Sequence, residues 1–502
     1  MTGSLHLLLK GFAGALSLPN LASAFAGALL GTVVGVLPGI GPSTTVALLI
    51  PIAFKMSPDS ALIMMTAVYC GAMYGGSLTS VLLKVPGEPS SVMTAIDGHE
   101  MAKQGRAGSA LAISAIGSWI GGTFSVIGLM LLAPPLAEFA LKFGPAEYFG
   151  VMAGALLFSL TLIGGSPAKA AASAGVGLML SMVGTDLQTG VSRFTLGLTD
   201  LLDGIEILTL IVGVFGVGEV LWYFREARQQ TLERLPLEGS LWPSTQEFRD
   251  SAWPIARASA IGFVAGLLPG SGSTLASITA YFVEKRVSKH PERFGHGAIE
   301  GVAAAETANN AATGGALIPL LTLGIPGSGT TAVLMGALLM FGIRPGPLLF
   351  TEQSDLVWTV IASLYVSNVM LLALNLPLIR IFVRILDIPP RYLMPMILAL
   401  AAVGGFAANN SLTDVGLVFA FGVLGYFMRL TEYSPVALVL AFVMGERMEQ
   451  SFRQAVELSG GDLTVFVTSP ISAVMLSVGV GALLWRRRSR RSPDDTLQPE
   501  GF

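Results

Sequence analysis

Apolar runs long enough to cross a lipid bilayer recur along this chain, and they leave few options for its fold. They fall at roughly 4–19, 60–84, 108–133, 146–163, 166–183, 204–222, 300–324, 356–378, 392–408, 414–428, 432–448 and 466–485, and are rich in Ala, Leu, Val and Gly. A helix of about 20 such residues spans the hydrocarbon core. A membrane β-barrel would show alternating segments of about ten residues instead. Only 12% of the residues are charged, against about 25% in soluble domains. An ordinary cytosolic enzyme and a disordered chain are both excluded. The expected class is an all-α integral membrane protein with about twelve transmembrane helices. A single cysteine, Cys70, rules out a disulfide framework or a Cys-based metal centre.

Two further apolar stretches, 22–54 and 256–283, are interrupted by Pro and Gly. The first contains Gly35-Val-Leu-Pro-Gly-Ile-Gly-Pro-Ser-Thr44 and the second Gly266-Leu-Leu-Pro-Gly-Ser-Gly-Ser-Thr274. Pro removes a donor and Gly relaxes the backbone, so a helix breaks there. Each stretch is a broken span or a re-entrant helical hairpin. Basic residues flank the second on both sides, with Arg225, Arg228, Arg234 and Arg249 before it and Lys285, Arg286, Lys289 and Arg293 after it. Basic loops stay in the cytoplasm, which favours two re-entrant hairpins.

The tail Arg486, Arg487, Arg488, Arg490 and Arg491 is placed in the cytoplasm by the same rule. Counting back puts Lys103, Arg106, Arg380, Arg384, Arg391 and Arg429 inside. The acidic loop 184–203 falls outside, and both termini are cytoplasmic. Ala22-Ser23-Ala24 resembles a cleavage site, but no basic segment precedes the apolar run, so a first span is expected. The expected organisation is a first membrane half at 1–222 and a polar cytoplasmic linker at 223–255. A second membrane half at 256–485 and a basic cytoplasmic tail at 486–502 follow.

The halves echo one another. The two Leu-Pro-Gly-x-Gly segments lie 231 residues apart, from Pro38 to Pro269. Tyr74-Gly-Gly-Ser-Leu…Val85-Pro-Gly-Glu88 recurs as Thr313-Gly-Gly-Ala-Leu…Ile325-Pro-Gly-Ser328. The Gly-Gly to Pro-Gly spacing is eleven residues in one and twelve in the other. Five crossings separate the hairpins, and an odd number makes the repeats inverted. Inverted repeats with discontinuous helices are a secondary-transporter architecture.

The chemistry of such breaks suits an anion. A helix N-terminus opened inside the membrane offers free N–H groups and a positive dipole end. Ser43, Thr44 and Thr45 open the new helix in one copy; Ser271, Ser273 and Thr274 do so in the other. Pro86-Gly87-Glu88 and Pro326-Gly327-Ser328 repeat the pattern. The candidate substrate-binding residues are therefore Pro38, Gly39, Gly41, Ser43, Thr44, Pro86, Gly87, Pro269, Gly270, Gly272, Ser273, Thr274, Pro326, Gly327 and Ser328. Glu306, Asn309 and Asn310 lie in an apolar segment and are candidate ligands for a co-transported cation, a sodium ion or a proton. The competing readings for the Gly and Pro residues are simple kinking and close packing. Lys84 and Arg344 offer charge to an anion or to lipid headgroups.

At these residues the chain resembles the large membrane subunit of the tripartite tricarboxylate transporters, the TctA-type family. The carrying features are Gly35–Thr44, Gly266–Thr274, Gly314–Gly329, the run Gly184-Thr-Asp…Arg193-Phe-Thr…Asp203-Gly, and Gly216-Val-Gly-Glu219. The resemblance implies a multi-pass permease of the bacterial inner membrane. It implies import of citrate-like tricarboxylates or related organic acids, driven by an ion gradient and without a resident cofactor. It implies two partners, a small four-helix membrane subunit (TctB-type) and a periplasmic solute-binding protein (TctC-type). It also marks the Leu-Pro-Gly-x-Gly tips, here Pro38, Gly39, Gly41, Pro269, Gly270 and Gly272, as the substrate region.

Other classes fare worse. His99-Glu100 opens like a zinc-protease motif, but Lys103 stands where the second His is required. There is no nucleophile elbow and no phosphate loop, so an enzyme is not expected. An organic-anion channel and a carrier working without a binding protein are the alternatives.

Overall fold

The structure is a computed structural model and describes residues 2–37, 41–163, 165–186, 188–226, 235, 237, 240–270, 272–385 and 390–489. Its elements in chain order are α1 (Thr2–Ala15), α2 (Leu18–Gly35), α3 (Pro42–Ala53), α4 (Pro58–Leu83), α5 (Val92–Lys103), α6 (Ala107–Ala140), α7 (Pro145–Leu162) and α8 (Pro167–Ser181). A two-residue ladder, β1 (Gly184–Thr185) with β2 (Ser192–Arg193), follows. Next come α9 (Ile207–Ile211), a π-helical turn at Val212–Val217, α10 (Gly218–Glu226), α11 (Thr245–Leu267), α12 (Gly272–Val287), α13 (Ile299–Leu323) and α14 (Gly329–Met340). The chain continues through α15 (Leu349–Glu352), α16 (Ser354–Asn375), α17 (Ile379–Ile385), α18 (Pro390–Asn409) and α19 (Leu412–Leu430). It ends with α20 (Pro435–Leu458), α21 (Val465–Thr468) and α22 (Pro470–Ser489).

Local sequence explains many of the boundaries. Proline opens α3, α4, α7, α8 and α20 at the first helical position, where its missing N–H costs nothing. Ser57, Ser244 and Ser434 cap α4, α11 and α20 by accepting a backbone N–H three residues on. Gly324 ends α13 in the left-handed conformation at φ 67°. The protein is all-α apart from the short ladder. Among the described residues seven helices are long and apolar enough to cross a membrane: Leu18–Gly35, Pro58–Leu83, Ala107–Ala140, Pro145–Leu162, Ile207–Arg225, Ser354–Asn375 and Leu412–Leu430. The chain is therefore a multi-pass membrane protein.

Six of these seven lie on runs expected as spans. The seventh, α2, is the front half of the interrupted stretch 22–54, which divides into α2 and α3. Stretch 256–283 divides into α11 and α12, and these fold back on each other. Arg257 on α11 pairs with Glu284 on α12 at 2.6 Å, each some way from the turn.

The chain packs as two units, each assembled from separated segments. Residues 1–141 and 205–431 form the first; residues 142–204 and 432–502 form the second. Packing thus divides the chain along a different line from the halves 1–222 and 256–485. In the first unit α2 runs along α4, and α11 along α13. Alanines of α11, α12 and α13 make a tight cluster. In the second unit α7 packs on α22 and α8 on α20. There Arg486, at the head of the basic tail, donates to Leu160 O and Ile163 O at 3.0 Å and so caps the C-terminal end of α7.

Candidate functional site

The first unit holds every described residue of the four Pro-Gly tips. Pro38, Gly39 and Ser271 lie outside the described residues. Gly41 is the extended N-cap of α3, and Ser43 follows in its first turn. The Ser43 hydroxyl lies 2.9 Å from that of Thr330, in the first turn of α14. Ser328 caps α14 and exchanges hydrogen bonds with Thr331. The third helix start, that of α12, reaches the same place. Gly270 and Gly272 both take left-handed φ, 79° and 55°, which only glycine adopts freely. They let Gly270 N donate to Gly327 O at 2.8 Å and bring Gly272 beside Ser328. Pro269, Ser273 and Thr274 flank this contact and are partly exposed.

The N-termini of α3, α12 and α14 therefore gather around residues 327–330. A helix start presents a partial positive charge and N–H groups that lie outside its own bonding ladder, the natural receptor for an anion. Thr44 is committed elsewhere. Its hydroxyl donates to Phe215 O at 2.8 Å, a carbonyl in the π-helical turn. Such turns displace the regular bonding ladder and free carbonyls for outside partners. The fourth tip packs differently. Gly87 sits where a Cβ would strike Gly35 O and Gly76, so Pro86-Gly87 lies against the end of α2.

The internal echo is written into these contacts, in a register one residue away from the one the sequence suggests. Gly31 and Gly35 of α2 press on the backbone of Val68 and Ala72 in α4. Gly262 and Gly266 of α11 press in the same way on Ala308 and Ala312 in α13. Gly75 meets Thr32 O and Gly35, while Gly315 meets Phe263 O and Gly266. Gly75 thus corresponds to Gly315, not to Gly314, and α4 with its tip maps onto α13 with its tip at a constant 240 residues. The spacings of eleven and twelve become equal in this register. Lys84 and Gly324, both left-handed helix ends, obey the same offset. So do the turns Glu88–Ser91 and Ser328–Thr331, in which the fourth hydroxyl accepts the first residue's N–H.

Glu306 and Asn309 lie in the middle of α13, both fully buried. Asn309 Nδ2 donates to Glu88 Oε1 at 2.9 Å, and Ser90 also donates to that oxygen. Glu306 Oε1 accepts from Thr94 Oγ1 at 2.5 Å. Among the described residues, Glu306 Oε2 and Asn309 Oδ1 are buried with no hydrogen-bond partner. Asn310 faces away and donates to Ser118 Oγ of α6 at 2.8 Å. Of the three candidate cation ligands, two sit together and the third braces a neighbouring helix. Glu88 and Thr94 complete the group. The signal for Glu88 was its place in a Pro-Gly tip; for Thr94 the sequence carries none. Lys84 and Arg344 are exposed and, among the described residues, form no hydrogen bond or ion pair with the tips.

The second unit carries a charged lock on the loop 184–204. Arg453 Nη1 lies 2.9–3.0 Å from both oxygens of Asp186, and Arg193 pairs with Glu449 at 2.7 Å. The Arg453 guanidinium, helped by the backbone N–H of Gln188, holds the Asp186 carboxyl well below the usual carboxylate range.

No solved structure matches this chain. Among curated proteins it is 46% identical over 487 residues to the "uncharacterized 52.8 kDa protein in TAR-I ttuC' 3'region" of Agrobacterium vitis, covering 96% of each chain. It is 47% identical over 234 residues to the "uncharacterized protein in TAR-II ttuC' 3'region" of the same organism, covering 46% of this chain and 97% of the relative. Residues 21–440 match the family model described as the tripartite tricarboxylate transporter TctA family. With that match spanning both Pro-Gly repeats and all three convergent helix starts, the chain belongs to the TctA family of tripartite tricarboxylate transporters.

Proposed function

We propose that this chain is the membrane permease of a secondary transporter importing a citrate-like tricarboxylate or related organic anion across the bacterial inner membrane. The observation that carries the reading is the meeting of the α3, α12 and α14 starts at Ser43, Gly272, Ser328 and Thr330. Several carboxylates on one substrate find several helix ends there, with hydroxyls to donate. The substrate site is assigned to Gly41, Ser43, Gly270, Gly272, Ser273, Thr274, Gly327 and Ser328, with Thr44 bracing the α3 start on Phe215 O and Pro38, Gly39, Pro86, Gly87, Pro269 and Pro326 as the other residues of the tip motifs. Import is coupled to a cation held near Glu306 and Asn309. A small TctB-type membrane subunit and a periplasmic TctC-type binding protein complete the system. About twelve crossings, two inverted halves, two re-entrant hairpins and cytoplasmic termini are the topology that goes with this reading.

The test is uptake of labelled citrate and a panel of other carboxylates in vesicles holding this chain and both partner subunits. Proton and sodium gradients are imposed separately. Accumulation that requires a gradient and the binding protein supports the proposal. Uptake without accumulation would make the protein a pore. Accumulation with the binding protein omitted would make it a stand-alone carrier.

A further inference from the structure

We propose that Glu88 and Glu306, bridged by Asn309, hold one shared proton, and that this proton is the ion the permease carries. The inference deepens the cation-coupled reading and depends on it only for the word "carries".

The geometry begins with a deficit of positive charge. Glu88 and Glu306 are buried, and no Lys, Arg or His is hydrogen-bonded or ion-paired to either among the described residues. The titratable groups nearby are Tyr69, Cys70 and Tyr74 on α4, and none of these is a cation at neutral pH. Asp97 on α5 is turned to Tyr281 and to the backbone at 295–298. Two ionised carboxylates buried side by side without a counter-charge cost several kcal/mol each. One positive charge is missing from the group.

Two oxygen atoms mark where it goes. Among the described residues Glu306 Oε2 and Asn309 Oδ1 are acceptors with no donor, while Glu306 Oε1 and Glu88 Oε1 each accept a hydrogen bond. A hard metal cation collects about six oxygens, whereas these two acceptors match the demand of a single proton. A proton on Glu306 Oε2 needs one acceptor, and the Asn309 carboxamide lies beside Glu306. Loading moves a proton from hydronium to Oε2 and cancels one of the two negative charges. Unloading returns it to water, and no other reactant takes part.

The repeat supplies an internal control. At the offset of 240 residues, Glu306 corresponds to Thr66, Asn309 to Tyr69, Glu88 to Ser328 and Thr94 to Leu334. The partnerships are exchanged between the halves in the same way: Asn309 meets Glu88, and Tyr69 meets Ser328. Yet the second position is neutral. Thr66 satisfies its hydroxyl on Leu62 O and Ile63 O, and with Leu334 it lines an apolar pocket. The fold fills this site without acids in one half, so packing does not call for them in the other.

The test uses the full chain in nanodiscs and needs no substrate. Infrared spectra at neutral pH are recorded in potassium and in sodium, in H2O and in D2O. We expect a protonated-carboxyl carbonyl band that shifts in D2O, is the same in both salts, and is lost in Glu306→Gln or Glu88→Gln. Both changes keep the shape of the side chain. Absence of the band in the unmodified chain overturns the proposal, as does its survival in both variants. Its loss on adding sodium assigns the site to that ion and also overturns it. The unmodified chain in D2O decides the matter even where a variant fails to fold. Since nothing is transported, failure of this proposal and failure of the permease reading are separate results.

Discussion

Asn309 Nδ2 donates to Glu88 Oε1 at 2.9 Å, joining two residues 221 positions apart in the interior of the first unit. That bond ties the tip of one repeat to the central helix of the other. Replacing Asn309 by Ala removes one of the two donors to a buried carboxylate oxygen, a loss of about 1–3 kcal/mol. The expected outcome is a lower unfolding temperature in detergent together with loss of gradient-driven uptake. A variant with unchanged stability and unchanged uptake would show that the bridge does nothing.

Gly41 and Gly270 separate function from folding at the tips. A Cβ at Gly41 meets no atom within 4 Å, so Gly41→Ala should fold normally, and any loss of uptake reports on the anion site. Gly270 has φ 79°, where a branched side chain costs about 1–2 kcal/mol. Gly270→Val and Gly39→Val are expected to abolish uptake while the protein still reaches the membrane. Normal uptake by both would remove the tips from the substrate path.

The glycine seams should respond in pairs. Gly35 and Gly266 each press on a carbonyl of the facing helix, Ala72 and Ala312 respectively. Leucine at either site forces the helices apart, at about 1–3 kcal/mol or more. Thermal unfolding of the two variants in detergent should show similar losses. A large loss at one and none at the other would contradict the shared packing of the repeats.

Asp97 organises the turn ahead of α13. Its carboxylate accepts from Gly295, Gly297 and Ala298 N and from the Tyr281 hydroxyl, at 2.8–2.9 Å. Asp97→Ala strands three backbone donors, each worth about 1–3 kcal/mol when buried. Hydrogen exchange at residues 295–298 should accelerate markedly; protection equal to that of the unmodified chain would refute the role.

Acid should release the loop 184–204. The folded pKa of Asp186 is depressed by Arg453, so its contribution is complete above the ordinary carboxylate value of about 3.9. It is lost as pH falls through the lower folded value. Asp186→Asn is expected to expose the loop to protease at neutral pH, a difference that fades in strong acid. Equal cleavage of both proteins at neutral pH would rule the lock out.

The membrane class, the helical identity of the apolar runs, the four Pro-Gly tips and the family were legible in the residues themselves. Each rests on a local property: hydropathy over some twenty residues, the missing donor of proline, or the free φ of glycine. The repeat was legible too, but its register slipped by one at Gly314-Gly315. Adjacent glycines are indistinguishable until one of them is pressed against Gly266. Nothing local shows that Glu88 reaches Asn309, that Asn310 turns to Ser118, or that Thr44 is spent on Phe215 O. Nor does it show that residues 142–204 pack with 432–502. Those were decided only by the tertiary structure, because a buried polar group takes whichever partner the packing of distant helices brings within about 3 Å.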